Sequence, residues 1–350
     1  MSAKMRGAII GFGGVAERGH LPAWRACTDM RIVAVAEPNP DRRARARALL
    51  PGAALYSDAT RLLREAPLDF VDIATPPSLH ARFIVAAAAA GVHVLCEKPL
   101  TPSLQDYERV REAVVSGGVT LFTVHNWKFS DPFRRVRALV ADGAIGPLTW
   151  IEFETVRDGC AGGLTGDWRM RRGLAGGGIL VDHGWHAFYL MLALASERPR
   201  AIRATLARRR YIAVDVEDTA RCTIQFPSLV GRLRLTWAGT ERRTRWRLRG
   251  RDGRIEVSDD VVLLHRDRTS YSFVCSDSLS TSSHHPEWFA SVIDAFHREV
   301  SDPTVRGENL AEAELCTLLL SLAYASHADS ARAQVIPTPA ATGERSVRAS

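Results

Sequence analysis

The chain has 350 residues, 46% of them hydrophobic and 24% charged, with a net charge of +7. This composition builds folded cores and excludes a disordered chain; no apolar run approaches the roughly 20 residues that span a bilayer. The six cysteines (Cys27, Cys96, Cys160, Cys222, Cys275, Cys316) are never at CxxC spacing, which argues against a metal finger or a disulfide framework, and the positive charge comes without a nucleic-acid recognition motif.

Met1 to Arg6 lead into a strand-like run with no apolar signal region, so a cytoplasmic location is expected. Short runs rich in Val and Ile at Gly7–Gly11, Ile32–Ala36, Phe70–Ala74, Val92–Cys96 and Thr120–Val124 read as buried strands. Helical patterns at Pro22–Ala26, Pro40–Leu50, Leu79–Ala90 and Ser103–Ser116 separate them. That alternation predicts an α/β fold with a doubly wound parallel sheet over residues 1–125.

The pattern then changes. A helix at Pro132–Asp142 leads to a strand at Leu148–Val156, and a Gly-rich loop at Leu174–Gly178 precedes a helix at Ile179–Ala195. Strands at Ala201–Leu206, Thr219–Phe226, Gly231–Trp237, Arg245–Gly250, Gly253–Val257 and Val261–His265 follow without long helices between them. They predict one large, open, predominantly antiparallel sheet over residues 126–335. Helices at Pro286–Val300 and Gly307–Ser326 close the fold, and residues 336–350 read as a tail. Within Gly231–Trp237 and Arg245–Arg251, arginines at 232, 234, 245, 247 and 249 alternate with Leu233, Leu235, Trp237, Trp246 and Leu248. A period of two puts them on opposite faces. The arginine face meets solvent or a subunit, or else binds an acidic or phosphorylated substrate.

Two segments carry chemistry. The first strand runs directly into G-x-G-x-x-A, formed by Gly11, Phe12, Gly13, Gly14, Val15 and Ala16. Gly11 permits the tight turn, Gly13 lets backbone approach a pyrophosphate, and Ala16 lets strand and helix pack closely. The second strand ends in Glu37, an acid suited to ribose hydroxyls and repulsive to a 2′-phosphate, which favours NAD. Arg42 and Arg43 just behind it keep NADP open. Downstream, Lys98 in Glu97-Lys98-Pro99 sits where a parallel strand opens onto the ligand crevice. After Gly176-Gly177-Gly178, Asp182 and His186 are four apart on a predicted helix and share one face. There an acid can orient an imidazole that exchanges a proton with an alcohol. The competing readings are a metal held by Asp182, His183 and His186, or a core histidine; we expect no metal.

These segments together resemble the Gfo/Idh/MocA oxidoreductases, the family of glucose–fructose oxidoreductase and inositol dehydrogenase. The resemblance runs from residue 6 to about residue 330. It implies a Rossmann domain followed by an α/β domain whose sheet joins subunits into a homodimer or homotetramer. It implies hydride transfer between nicotinamide and a hydroxyl-bearing carbon of a sugar, cyclitol or related polyol, with Lys98, Asp182 and His186 as the catalytic set. In that scheme His186 is the acid/base, Lys98 hydrogen-bonds the reacting oxygen, and Asp182 positions the hydroxyl or tunes the histidine. Thr75, Pro76 and His80 would line the cofactor, with Glu97 beside the nicotinamide ribose and Asn126 beside the nicotinamide. Trp127, Trp168, Arg169 and His183 would face the substrate. Two positions depart from the common pattern: Tyr189 stands where many members carry Asp, and Lys128-Phe129 where many carry Arg-Phe. The alternatives are a sugar-sensing binding protein without turnover and a glycosidase that uses NAD transiently. Retention of both Lys98 and His186 favours the dehydrogenase.

Overall fold

The computed structural model describes residues 4–160, 167–281 and 284–338. Six strands, β1 (Met5–Ile10), β2 (Met30–Ala36), β3 (Ala54–Tyr56), β4 (Phe70–Ile73), β5 (His93–Cys96) and β6 (Leu121–Thr123), form an all-parallel sheet in the order β3-β2-β1-β4-β5-β6. Ala8, Ile9 and Ile10 of β1 are fully buried, as a strand covered by helices on both faces requires. The sheet grows one way from β1 through β2 to β3 and the other way through β4. Its topological switch point therefore lies between β1 and β4, where the carboxyl ends of the strands open a crevice. β3 and a helix at Ala59–Glu65 were not expected from the sequence; each is too short to show a period.

A nine-stranded sheet follows, made of β7 (Leu148–Asp158), β8 (Ala201–Ala207), β9 (Thr219–Gln225), β10 (Val230–Thr236), β11 (Ala238–Gly250), β12 (Gly253–Ser258), β13 (Val261–Arg266), β14 (Thr269–Val274) and β15 (Gln334–Val335). Its order is β14-β13-β12-β11-β7-β10-β9-β8-β15, and only β7 and β10 pair in parallel. The predicted alternation holds: Leu233, Leu235, Trp246 and Leu248 are buried on one face. β11 starts seven residues before the predicted Arg245 because Ala238–Arg243 extends its pairing with β7 across a bulge. β14 exposes most of its side chains and lacks an apolar signal.

The helices after the second sheet return to the first one. Phe289, Val292, Ile293 and Phe296, on the helix Pro286–Ser301, share a core with Ile9, Phe12, Trp24 and Phe70. On the helix Glu308–Ala328, the Asn309 side chain brackets Thr123 of β6, accepting from its N–H at 2.6 Å and donating to its carbonyl at 3.0 Å. At the other end of that helix Ser326 accepts from the Ala204 N–H of β8. The tail reading starts too early: Ile336 is buried, and its N–H donates to the Arg200 carbonyl. Residues 339–350 lie outside the described residues. No helix among the described residues is long and apolar enough to cross a membrane.

Candidate active site

A cleft of about 930 Å³ runs from the switch point of the first sheet to the mouth of the second. That is near the upper end of small-molecule sites, roughly 300–1,000 Å³. At its near end Gly11 has φ of +89°, and a Cβ there would lie 2.8 Å from the Ala74 carbonyl oxygen, so the turn needs glycine. Gly13, Gly14 and Val15 line the cleft with Glu37, Thr75 and Pro76. The Glu37 carboxylate is buried and accepts the N–H groups of Phe12 (2.7 Å) and Asn39 (2.9 Å). It thus ties the glycine turn to the end of β2. Arg42 lines the cleft, whereas Arg43 spends its guanidinium on the carbonyls of Glu37 and Pro38.

Three predicted cofactor residues do not reach the cleft. The side chains of Phe12 and Ala16 belong to the apolar core of the first sheet. His80 is fully buried and hydrogen-bonds the carbonyls of Pro99 and Thr75, so it ties together the two loops that carry Lys98 and Thr75.

The next group was missed by sequence reasoning. The helix after the glycine turn begins as a widened π turn, Ala16–His20, which directs His20 inward. His20 lies between two carboxylates, with Nδ1 2.9 Å from Asp72 and Nε2 3.0 Å from Glu97, and its ring stacks on Phe289 at 3.7 Å. Trp24 Nε1 also donates to Asp72. Burial opposes the charge on His20, but Asp72 and Glu97 outweigh it and raise the pKa to about 9. Glu97, whose carboxyl is held low by the same histidine against its own burial, also accepts the Lys98 N–H and faces the cleft. One signal existed in the sequence: an acid, Asp72, inside a buried apolar strand needs a partner.

Lys98, Asp182, His183 and His186 converge at the far end, beside Asn126 and Trp127. Lys98 Nζ donates to Asp182 Oδ1 and to the Asp182 carbonyl, both at 2.9 Å. Burial raises the Asp182 carboxyl, but Lys98, His183 and Arg169 overcome it and hold it far below the usual carboxylate range. The segment Leu180–Gly184 is a π turn rather than the start of a regular helix, so Asp182, His183 and His186 all face the cleft. The buried Glu217 anchors that turn. Its Oε1 accepts from the N–H groups of Gly178 (2.9 Å) and Leu180 (3.1 Å) and from the Tyr324 hydroxyl (2.8 Å). The His186 ring stacks on Trp127 at 4.9 Å. Its expected orienting partner, Asp182, is not the one it uses: His186 Nδ1 is 2.7 Å from the Tyr189 hydroxyl. Burial, with Lys98 and His183 nearby, pushes His186 well below the ordinary histidine value, and burial drives His183 down to about 3. Among the described residues no group of three His, Cys, Asp or Glu side chains is gathered as a metal site.

Trp168 and Arg169 line the same end; Arg169 packs over the Trp168 ring at 4.4 Å and pairs with Asp167. Arg157 and Arg242 join them. The arginines singled out in the sequence do not: those at 232, 234, 245, 247 and 249 lie on the outer face of the large sheet, away from the cleft. There Arg247 pairs with Glu152 at 2.9 Å, and Arg243 with Glu154 at 2.8 Å, both acids of the central strand β7.

Sequence comparison decides the lineage. Residues 5–125 match the profile of an oxidoreductase family with an NAD-binding Rossmann fold, and residues 133–256 match the GFO/IDH/MocA C-terminal domain. The chain belongs to the GFO/IDH/MocA oxidoreductase family. It is 35% identical over 147 residues to D-apiose dehydrogenase from Paraburkholderia graminis, covering 42% of this chain and 39% of that one. It is 30% identical over 142 residues to myo-inositol 2-dehydrogenase from Thermotoga maritima, covering 41% and 42%. The chain thus spans less than half the length of either curated relative. In fold it is similar to levoglucosan dehydrogenase in complex with NADH and levoglucosan, with a TM-score of 0.83 over 96% of this chain and 100% of the other at 20% identity.

Proposed function

We propose that the protein is an NAD-dependent dehydrogenase that moves hydride between nicotinamide and a hydroxyl-bearing carbon of a sugar, cyclitol or related polyol. The observation that carries this reading is the single cleft joining the Gly11–Val15 turn and Glu37 to Lys98, Asp182 and His186. The residues present fit a dinucleotide. Thr75 and Asn126 line the cleft, and their buried Oγ1 and Oδ1 atoms have no hydrogen-bond partner among the described residues, a deficit a bound ligand could fill. Gly11 to Val15 would hold its pyrophosphate, Glu37 its adenosine ribose, and Glu97 and Asn126 its nicotinamide end. When bound, the dinucleotide supplies the hydride acceptor or donor. The remaining steps fall to the chain. Trp127, Trp168, Arg169 and His183 would enclose the substrate. Lys98 and His186 meet the reacting oxygen, while Asp182 holds the Lys98 ammonium in place. The apiose and inositol dehydrogenase relatives support a polyol substrate. We further propose a cytoplasmic enzyme assembled through the outer face of the large sheet, which light scattering would test.

The test is absorbance at 340 nm with NAD or NADP against pentoses, hexoses, inositols, sugar acids and sugar phosphates. Lys98→Ala and His186→Ala are run alongside. Reduction of NAD by one substrate, reduced about 10²–10⁴-fold in Lys98→Ala and measurably in His186→Ala, is the expected outcome. Turnover that survives intact in both variants would refute the assignment.

A further inference from the structure

The Tyr189 hydroxyl is buried between the catalytic histidine and the backbone, and its hydrogen bonds can be counted. The Trp127 N–H can only donate, so at 3.1 Å the phenol oxygen accepts from it. The other neighbour is His186 Nδ1 at 2.7 Å. If the phenol donates to Nδ1, the phenol, Nδ1 and the Trp127 N–H are all satisfied. If Nδ1 donates instead, the phenol proton has no acceptor among the described residues, in a pocket closed by the stacked His125 ring at 4.3 Å. An unpaired buried O–H biases such a choice roughly tenfold to a hundredfold. His125 is itself fixed: its Nε2 accepts from Trp185 Nε1, leaving Nδ1 to donate to Glu312. The stack beside Tyr189 therefore does not reorganise to supply an acceptor.

We propose that Tyr189 is a positioning residue that locks neutral His186 as the Nε2–H tautomer, making it a fixed hydrogen-bond donor to the reacting oxygen and leaving the proton transfer to Lys98. The inference rests on the dehydrogenase reading and assigns its acid and base. In reduction the Lys98 Nζ–H bond breaks and an O–H bond forms on the carbonyl oxygen as hydride reaches the carbon. In oxidation Lys98 first gives one Nζ proton to solvent, and the hydroxyl proton then passes to the resulting amine as hydride leaves. The Nε2–H of His186 stays on its ring throughout and shares the charge that gathers on oxygen. Burial beside Lys98 and His183 further disfavours a charged His186.

The experiment is ¹H–¹⁵N correlation spectroscopy on the full chain labelled at histidine nitrogens, with His186→Gln to assign the resonance, followed by pH–rate profiles. At neutral pH, with and without NAD, Nε2 should be the protonated nitrogen and Nδ1 the bare acceptor; Tyr189→Phe should release the lock and populate the other tautomer. His186→Gln keeps an N–H donor on the cleft side and cannot titrate, so it should lose about tenfold in kcat while preserving the shape of the profile, whereas His186→Ala loses more. A bare Nε2 in the unmodified protein, or a titration limb that vanishes in His186→Gln, overturns the proposal. Absence of turnover on every substrate would sink the dehydrogenase reading, while the tautomer measurement would still decide the role of Tyr189.

Discussion

His20 should make the protein's stability depend on pH in a direction opposite to that of an ordinary carboxylate pair. Its pKa rises from 6.5 to about 9 on folding because Asp72 and Glu97 outweigh the cost of burial. At 1.36 kcal/mol per pH unit this links about 3 kcal/mol of stability to one proton. Since the folded-state value is the higher one, that contribution is complete below about pH 6.5 and declines above it. It is lost as pH rises through about 9. The ring is only 2% exposed, so salt screens the pair weakly. The comparison is guanidinium unfolding of the unmodified protein and His20→Gln at pH 6 and pH 10, followed by tryptophan fluorescence with m held common. At pH 6 the variant should be less stable by about 3 kcal/mol, because it leaves the buried Asp72, with Glu97 beside it, without the cation they share. Between pH 6 and pH 10 the unmodified protein should lose about 3 kcal/mol more than the variant does. Parallel pH dependences in the two proteins would refute the claim that His20 is charged in the folded state.

Other consequences follow from single contacts. A Cβ at Gly178 would lie 1.8 Å from the Glu217 carbonyl oxygen, which is backbone and cannot swing away. Gly178→Ala should therefore cost more than the ordinary 1–3 kcal/mol of overpacking, read as a fall in Tm and loss of soluble protein. Glu37→Ser removes the acceptor of the Phe12 and Asn39 N–H groups beside Arg42. It should weaken NADH binding about tenfold and raise relative use of NADPH, measured by fluorescence titration of both. Lys98→Arg keeps the charge but not the compact three-donor geometry. It should restore stability relative to Lys98→Ala, which removes the cation paired with the half-buried Asp182, yet recover little of kcat; full recovery of rate would show that only charge matters there.

Much of the architecture was legible in local pattern. Period-two and period-3.6 apolar spacing gave the parallel sheet and the large antiparallel one, and Gly11 marked the turn after β1 because its φ of +89° beside the Ala74 carbonyl needs glycine. Lys98, Asp182 and His186 were visible as chemistry-bearing residues at a strand end and after a Gly-rich loop, and they do share the cleft. What local pattern does not carry is partnership across the chain. His20 meets Asp72 and Glu97 from 52 and 77 residues away, and Glu217 caps the Gly178 turn from 39 residues away. The π turns at Ala16–His20 and Leu180–Gly184, which aim these groups, leave no period in the sequence. The five arginines of β10 and β11 read first as an outer face and second as a binding face. Only the packing of Leu233, Leu235, Trp246 and Leu248 inward decided that they point away from the cleft. In the same way Tyr189 stands out in the sequence only as a departure from the family pattern, and its hydroxyl matters because folding sets it between His186 and the Trp127 backbone. Residue spacing fixes which side chains share an element, whereas hydrogen-bond partners are fixed by which elements pack together. That second choice belongs to the tertiary structure.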